Sequence, residues 1–165
     1  MSVKFNFSGF FDRDAVLKAV KAADRKILND TGRKIRSTAQ KSIKYADGVS
    51  SPGSPPHGHK TRKITRTSKS TGKTRTRSVS FLREFLYYKY DFATRSVVVG
   101  PEKLNSTVDS SALRSLEEGG VSRVSSKGGK GTKSVTIRSR PYMKPALNAN
   151  LPDFVGMWRN SVRST

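Results

Sequence analysis

The longest regular pattern in the chain is helical. Apolar residues recur at helical spacing over residues 16–43, and basic residues occupy the opposite face. Asp12 is placed to cap the first turn. The pattern therefore predicts one long helix ending near residue 46, unless Gly32 interrupts it. Before the helix, the alternation of apolar and polar residues over 3–7 predicts a short strand or an extended arm.

The centre of the chain has the composition of strands. Aromatic and β-branched residues over 87–90 and 95–100 flank a four-residue turn, which predicts an antiparallel hairpin. A second hairpin is predicted from residues 121–125 and 134–138. Between them, residues 110–118 predict a short helix that a serine caps and a glycine stops.

The C-terminal part begins with a proline corner. Pro141 fixes its own backbone angle, and Pro145 suits the first turn of a helix. We expect a rigid corner, then a helix over 143–150 and a separate final turn from Pro152, so that residues 141–165 form a corner and a short helix. The residues expected to pack or to contact another subunit are Tyr142, Met143 and Trp158.

Residues 47–80 follow neither pattern. A loop rich in Pro, Gly and Ser comes first, and no acidic residue occurs between Asp47 and Glu84. Alternating threonines give a weak hairpin signal within this stretch. We therefore predict an extended basic loop or arm that protrudes from the domain and is ordered by its neighbours. Its eight cations are Lys60, Arg62, Lys63, Arg66, Lys69, Lys73, Arg75 and Arg77.

Composition narrows the class of protein. The 165 residues suit a single domain, and apolar residues make up 33% of them, a lean supply for a core. The formal net charge of +21 favours contact with polyanions or acidic protein surfaces. No apolar run approaches the length of a membrane span, so we expect no membrane partner. The absence of cysteine excludes disulfides and thiolate metal sites.

The sequence offers no convincing catalytic or metal site. His57 and His59 are the only histidines, and they lie in the Pro/Gly loop without nearby carboxylates. Glu117 and Glu118 are neighbours on a helix and point in different directions, so they do not form an acid/base pair. We therefore expect neither an enzyme nor a cofactor. The basic arm is the remaining chemical signal, with DNA and acidic proteins as equal alternatives for its partner.

Several segments resemble a known family. The corner Arg140-Pro141-Tyr142-Met143-Lys144-Pro145-Ala146-Leu147 resembles the C-terminal signature of neck and tail-completion proteins of tailed bacteriophages. Other segments match in the same order: Gly53–His57, Leu82-Arg83 with Tyr88–Asp91, Ser96–Pro101 and Leu116–Gly120. Two features depart from the family, namely a long basic insertion before Leu82 and Glu117-Glu118 where members often have a His-Glu pair.

The resemblance implies a fold and a function. The fold is α+β, with the long N-terminal helix packed on an antiparallel β-sheet. The function is structural: a homo-oligomeric ring at the head–tail junction of the virion, assembled in the host cytoplasm. Its partners would be connector or head-completion proteins, tail proteins and packaged double-stranded DNA. The alternatives are a basic module that binds nucleic acid without sequence specificity and another minor tail or tail-terminator component. The residues assigned to turns are Gly100, Pro101, Gly119, Gly120, Pro141 and Pro145.

Overall fold

The computed structural model describes residues 12–60, 62–102, 111–125, 131–159 and 161. The strand or arm predicted over 3–7 lies outside these ranges. In chain order the elements are α1 (Arg13–Ser42), β1 (Arg62–Thr67), β2 (Thr74–Val79), α2 (Phe81–Glu84), β3 (Leu86–Asp91), β4 (Ser96–Pro101), α3 (Ser111–Glu118), β5 (Gly120–Ser125), β6 (Thr132–Ile137) and α4 (Met143–Trp158).

The α+β class is confirmed, but the strands are arranged as separate ribbons. Each consecutive pair forms an antiparallel two-stranded ladder, and within the described residues no ladder joins another. Helix α1 packs against the β3–β4 ribbon and against α4, while α3 packs against β5 and β6. The predicted central and second hairpins are therefore both present, within one to two residues of their expected bounds.

The long helix α1 is continuous. Asp12 caps it as predicted, since its Oδ1 accepts a hydrogen bond from the Ala15 N–H at 2.9 Å. The helix ends at Ser42 rather than near residue 46, because Ile43 adopts an extended conformation and buries its side chain completely. The next residues pair with the Pro-rich loop, where the Gly58 N–H donates to the Lys44 carbonyl at 2.8 Å.

The core lies where α1, β3 and α4 meet. Its fully or nearly fully buried side chains are Ile35, Ala39, Ile43, Leu86, Tyr142 and Ala146. Residues 23 and 27 of α1 are buried as well, which follows the predicted apolar face. The first turns of α1 do not follow it, because Val16 and Val20 are each 41% exposed. The apolar stripe of α1 is thus longer than the surface that covers it.

Gly32 lies at the closest approach between α1 and the β3–β4 ribbon. A Cβ at this position would lie 2.6 Å from Val97 Cγ2 and 3.0 Å from Tyr88 Cδ2. No side chain fits there unless the Val97 and Tyr88 side chains shift. Gly32 therefore does not interrupt the helix; it allows a strand to lie against the helix.

We expect Gly32→Ala to lower the free energy of unfolding by about 1–2 kcal/mol, although alanine is the better helix former. The matched control is Gly156→Ala in α4, where the new Cβ would meet no described atom beyond its own helix within 4 Å. That change should raise stability by up to about 1 kcal/mol. Urea denaturation of both variants tests the contrast, and equal effects would contradict the close approach at Gly32.

Helix α4 runs through Pro152 without ending, so the separate final turn predicted there is wrong. Two ties to α1 flank the proline. Asn150 Nδ2 donates to Thr38 Oγ1 at 3.1 Å, and Lys34 Nζ lies 3.2 Å from Asp153 Oδ2. These contacts offset part of the cost of a proline inside a helix. The C-terminal helix is therefore longer than the sequence suggests.

Only part of the predicted arm protrudes. The Pro-rich loop folds back onto the body, where Ser50, Pro56 and Gly58 are buried. Arg140 also holds the loop, since its Nε donates to the Ser50 carbonyl at 2.9 Å. The prediction of an arm over the whole of 47–80 is thus wrong for its first part, and the projecting element is the β1–β2 hairpin. None of the described helices is long and apolar enough to span a bilayer.

Candidate functional site

The β1–β2 hairpin carries most of the predicted basic residues and divides them by face. Partners in the register share a face of an antiparallel ribbon. Arg66 pairs with Arg75, and Arg77 pairs with Ile64. The alternate pairs, Thr65 with Thr76 and Thr67 with Thr74, lie on the other side. We call these two sides the arginine face and the threonine face.

The arginine face lines a groove of about 680 Å³ together with Thr67 and the turn residues Ser68 and Thr71. Four cations line it: Arg66, Lys73, Arg75 and Arg77. Among the described residues, Arg77 alone of these four has an ion-pair partner, Glu84 Oε1 at 2.9 Å. Arg66 and Arg75 lie directly opposite one another, which is unfavourable for like charges until an anion is bound.

On the threonine face, the threonine hydroxyls form hydrogen bonds with each other. Thr65 and Thr76 hydroxyls hydrogen-bond across the ribbon at 2.9 Å, and those of Thr67 and Thr74 do so at 3.1 Å. Cross-strand pairs of this kind stabilise a ribbon and hold its register. The turn is closed by the Ser68 N–H, which donates to the Lys73 carbonyl at 2.9 Å, and by Gly72, whose φ is +64°. The ribbon is thus a defined support for the arginine face.

The remaining predicted cations of the arm lie elsewhere. Lys63 is on the threonine face opposite Ser78, and Lys69 is exposed in the turn. Lys60 precedes the hairpin, and its Nζ lies 5.2 Å from the centroid of the Tyr45 ring, which Arg83 also contacts. Arg62 begins β1, but its side chain is outside the described part of the structure. The structure therefore gathers half of the eight predicted residues into one groove.

The proline corner is held by a residue that sequence reasoning left without a role. Glu117 accepts three backbone hydrogen bonds at the start of α4: from Tyr142 (3.0 Å) and Met143 (3.2 Å) through Oε2, and from Lys144 (2.7 Å) through Oε1. We call this arrangement the Glu117 clasp. A carboxylate is well placed there, because the N–H groups at a helix N-terminus carry partial positive charge.

Nothing in the sequence locates the clasp. Tyr142 occupies the N-cap position of α4 and makes no side-chain capping bond. This poor capping residue signals that another group caps the helix, but the acceptor comes from α3, 25 residues earlier. Glu118 points away and forms an ion pair with Arg114 at 2.8 Å. The prediction that the two glutamates face different directions agrees with these contacts.

The three predicted packing residues have different environments. Tyr142 is 1% exposed, and burial, followed by the nearby Glu117 charge, raises the pKa of its hydroxyl well above the ordinary value of 10.0. Met143 is partly buried against the core. Trp158 is 38% exposed and contacts the Phe154 ring edge-on. Tyr142 therefore lies in the core, whereas Trp158 is on the surface.

Trp158 ends an exposed row of apolar side chains on α4. The row repeats every three or four residues, so its members lie on one side of the helix. Their exposed fractions range from 38% to 75%. We call this row the α4 stripe, and it consists of Leu147, Leu151, Val155 and Trp158.

Two of the predicted turn residues are not in a turn. Gly100 and Pro101 are the last residues of β4 and pair with Tyr87 and Leu86. Proline is tolerated here because the neighbouring pair carries the hydrogen bond, from the Glu102 N–H to the Phe85 carbonyl at 2.8 Å. Hydrogen-bonded and non-hydrogen-bonded pairs alternate in an antiparallel ladder, so the Pro101–Leu86 pair needs no N–H from residue 101.

The other predicted turn residues lie at changes of direction. Gly119 and Gly120 have φ values of +82° and +127° between α3 and β5. These angles favour glycine over any residue with a side chain. Pro141 precedes α4, and Pro145 lies within its first turn, where the missing N–H of a proline breaks no helical hydrogen bond.

The described residues contain no group of three side chains able to hold a metal ion. His57 Nδ1 is buried and has no hydrogen-bond partner within the described part of the chain. Comparison of the chain with protein-family models, curated proteins and solved structures gave no match.

Proposed function

We propose that this protein is a structural component of a tailed-phage virion. Copies of it would form a ring at the head–tail junction, around the channel through which the DNA passes, and would join the tail to the head connector. The observation that carries the proposal is the α4 stripe, an apolar surface next to the proline corner. An exposed apolar stripe is expected of a protein that is completed by its neighbours.

The α4 stripe supports contact with a second copy. Val155 is 75% exposed and Leu151 is 49% exposed, although both belong to a helix that packs on the body. A contiguous apolar row that faces water is unfavourable and commonly marks a protein interface. If the complementary surface lies elsewhere on the same chain, the contact is head-to-tail, and it forms a ring when the rotation from copy to copy closes.

The contacts among the segments that carry the resemblance support the same proposal. The segment containing Glu117 caps the helix that the proline corner begins. The segments 88–91 and 96–101 pair with each other as β3 and β4. The long insertion before Leu82 corresponds to the β1–β2 hairpin, which projects from this framework.

Complementation of a phage that lacks this chain tests the proposal. Without the protein, negative-stain images should show filled heads and separate, complete tails. We expect Val155→Asp to fail to restore infectious particles, because a charge would interrupt the α4 stripe. The matched control is Val49→Asp, at a position that is 78% exposed in the Pro-rich loop, and it should restore them. Equal complementation by the two variants, or virions that lack the protein, would overturn the proposal.

Two other functions make different predictions in the same experiment. Missing or overlong tails would identify a tail-terminator or another minor tail component. Normal particles, together with DNA binding by the purified protein, would identify a separate nucleic-acid-binding module. The groove on the arginine face favours this last function over the tail-terminator.

A further inference from the structure

We propose that the arginine face of the β1–β2 hairpin binds the phosphate backbone of double-stranded DNA without reading its sequence. This inference rests on the proposed function for the source of the DNA, the genome in the head–tail channel. It goes further by assigning the ligand to one side of one hairpin. The residues that make the contact are Arg66, Lys73, Arg75 and Arg77.

The charge on this face is concentrated and mostly uncompensated. The described residues that line the groove include four cations and no carboxylate. The Arg66–Arg75 pair places two guanidinium side chains directly across from each other. Such a pair is stabilised by closely spaced anions, and guanidinium groups match phosphate oxygens in a bidentate geometry.

The spacing of the cations suits a duplex. Lys73, Arg75 and Arg77 stand at two-residue intervals along one strand, so they span about 13 Å. A duplex of that length carries about 8 phosphates on its two strands. The groove can therefore contact several phosphates at once, and a two-stranded ribbon is narrow enough to follow the backbone beside the major groove.

The composition of the hairpin favours DNA over an acidic protein. Residues 62–79 contain no aromatic residue, and their apolar members are Ile64 and the fully buried Val79. Protein interfaces depend on buried aromatic or apolar anchors, and the arginine face offers only the partly buried Ile64 among its described side chains. Protein–DNA interfaces are more polar and more positive, as the ribbon is. The absence of aromatic side chains also removes the stacking surface that single-stranded binding uses.

The threonine face supports the arrangement of the arginine face. Its hydroxyls bond to each other across the ribbon, so they hold the strands in register and leave the arginines directed to the opposite face. Binding to a preformed ribbon requires little ordering of the backbone. We expect the same affinity for duplexes of unrelated sequence, because phosphate contacts carry no sequence information.

The test is a salt titration with the purified full-length protein and a labelled 30-base-pair duplex, followed by fluorescence anisotropy. One variant combines Arg66→Gln, Lys73→Gln and Arg75→Gln, and leaves Arg77 with Glu84. Its charge-matched control combines Lys18→Gln, Lys21→Gln and Lys26→Gln on the exposed side of α1. Circular dichroism confirms that both variants are folded.

We expect the hairpin variant to bind the duplex at least about tenfold more weakly at 0.1 M salt, with a log–log salt slope smaller by about 2.7, since three phosphate contacts are lost. The α1 variant should change affinity by less than about twofold. Equal losses in the two variants would overturn the proposal, because net charge would then explain the binding.

Two further outcomes would also overturn it. One is tighter binding of poly-glutamate than of duplex DNA at equal charge concentration, which would point to an acidic protein as partner. The other is the absence of DNA binding by the unaltered protein. Neither affects the head–tail role, which complementation tests separately. Conversely, virions without the protein would refute that role and leave the DNA measurement standing.

Discussion

Replacement of Tyr142 by alanine should lower the free energy of unfolding by about 4 kcal/mol, the largest effect that we expect from any single change. The side chain is 1% exposed and lies in the core with Ile35, Ala39 and Leu86. Its removal would leave a cavity where α1, β3 and α4 meet. Urea denaturation followed by circular dichroism measures the change, and the melting temperature should fall by about 8–16 °C.

The control for this prediction is Tyr142→Phe, which keeps the ring and removes the hydroxyl. We expect it to change stability by less than about 1 kcal/mol. A loss of less than about 1 kcal/mol in the alanine variant would mean that the corner is not part of the core. Tyr142 would then be free for the subunit contact that the sequence also allows.

The second large effect concerns the Glu117 clasp. We expect Glu117→Ala to lower the free energy of unfolding by about 3 kcal/mol, because three N–H groups at the start of α4 would lose their acceptor and the helix its N-terminal anion. The stability of Glu117→Gln should lie between that of the unaltered protein and that of Glu117→Ala, since an amide keeps one acceptor oxygen. Denaturant titration at neutral pH gives both values.

Glu118→Ala is the control for the clasp. It removes the same charge from the next residue of α3, where the carboxylate is 60% exposed and pairs with Arg114. Exposed pairs of this kind contribute little to stability, so we expect a far smaller loss than for Glu117→Ala. If the two alanine variants lose the same stability, the loss reflects the removal of a negative charge or the helix propensity of α3, and the clasp is refuted.

Short-range patterns predicted the elements well. The β3–β4 hairpin follows from alternating aromatic and β-branched residues around a turn, and its turn is closed locally by Asp91, which accepts from the Ala93 N–H at 2.9 Å and the Thr94 hydroxyl at 2.7 Å. The cap at Asp12 and the glycine stop after α3 are local in the same way. Interactions between residues close in the chain leave a signature that can be read in sequence.

The errors arose where distant residues decide the outcome. Pro152 predicts a break, but α4 continues through it, and contacts from α4 to α1 lie on either side of the proline. The sequence of the Pro-rich loop predicts no attachment to the body, but Arg140 donates a hydrogen bond to the Ser50 carbonyl, 90 residues away in the chain. The Glu117 clasp is of the same kind, since it joins α3 to the start of α4 across 25 residues. Such contacts carry no periodicity along the chain.

The separation of the hairpin into two faces could have been inferred only in part. Alternation of Thr with Arg or Lys suggests a ribbon, but the faces depend on the register, which in turn depends on the length of the turn. With Arg66 opposite Arg75, the cations of β2 share a side with Arg66 of β1. A shift of one residue in the pairing would place arginines opposite threonines and would disperse the groove.

The attachment of the hairpin has a consequence for how such a protein changes over generations. Arg62 and Val79 are partners in the register, so the chain leaves the body and returns to it at neighbouring points. A segment with adjacent ends can change in length or in its charged residues while the rest of the chain keeps its packing. Selection for a new ligand and selection for a stable body can then act on different parts of one gene, and neither compromises the other.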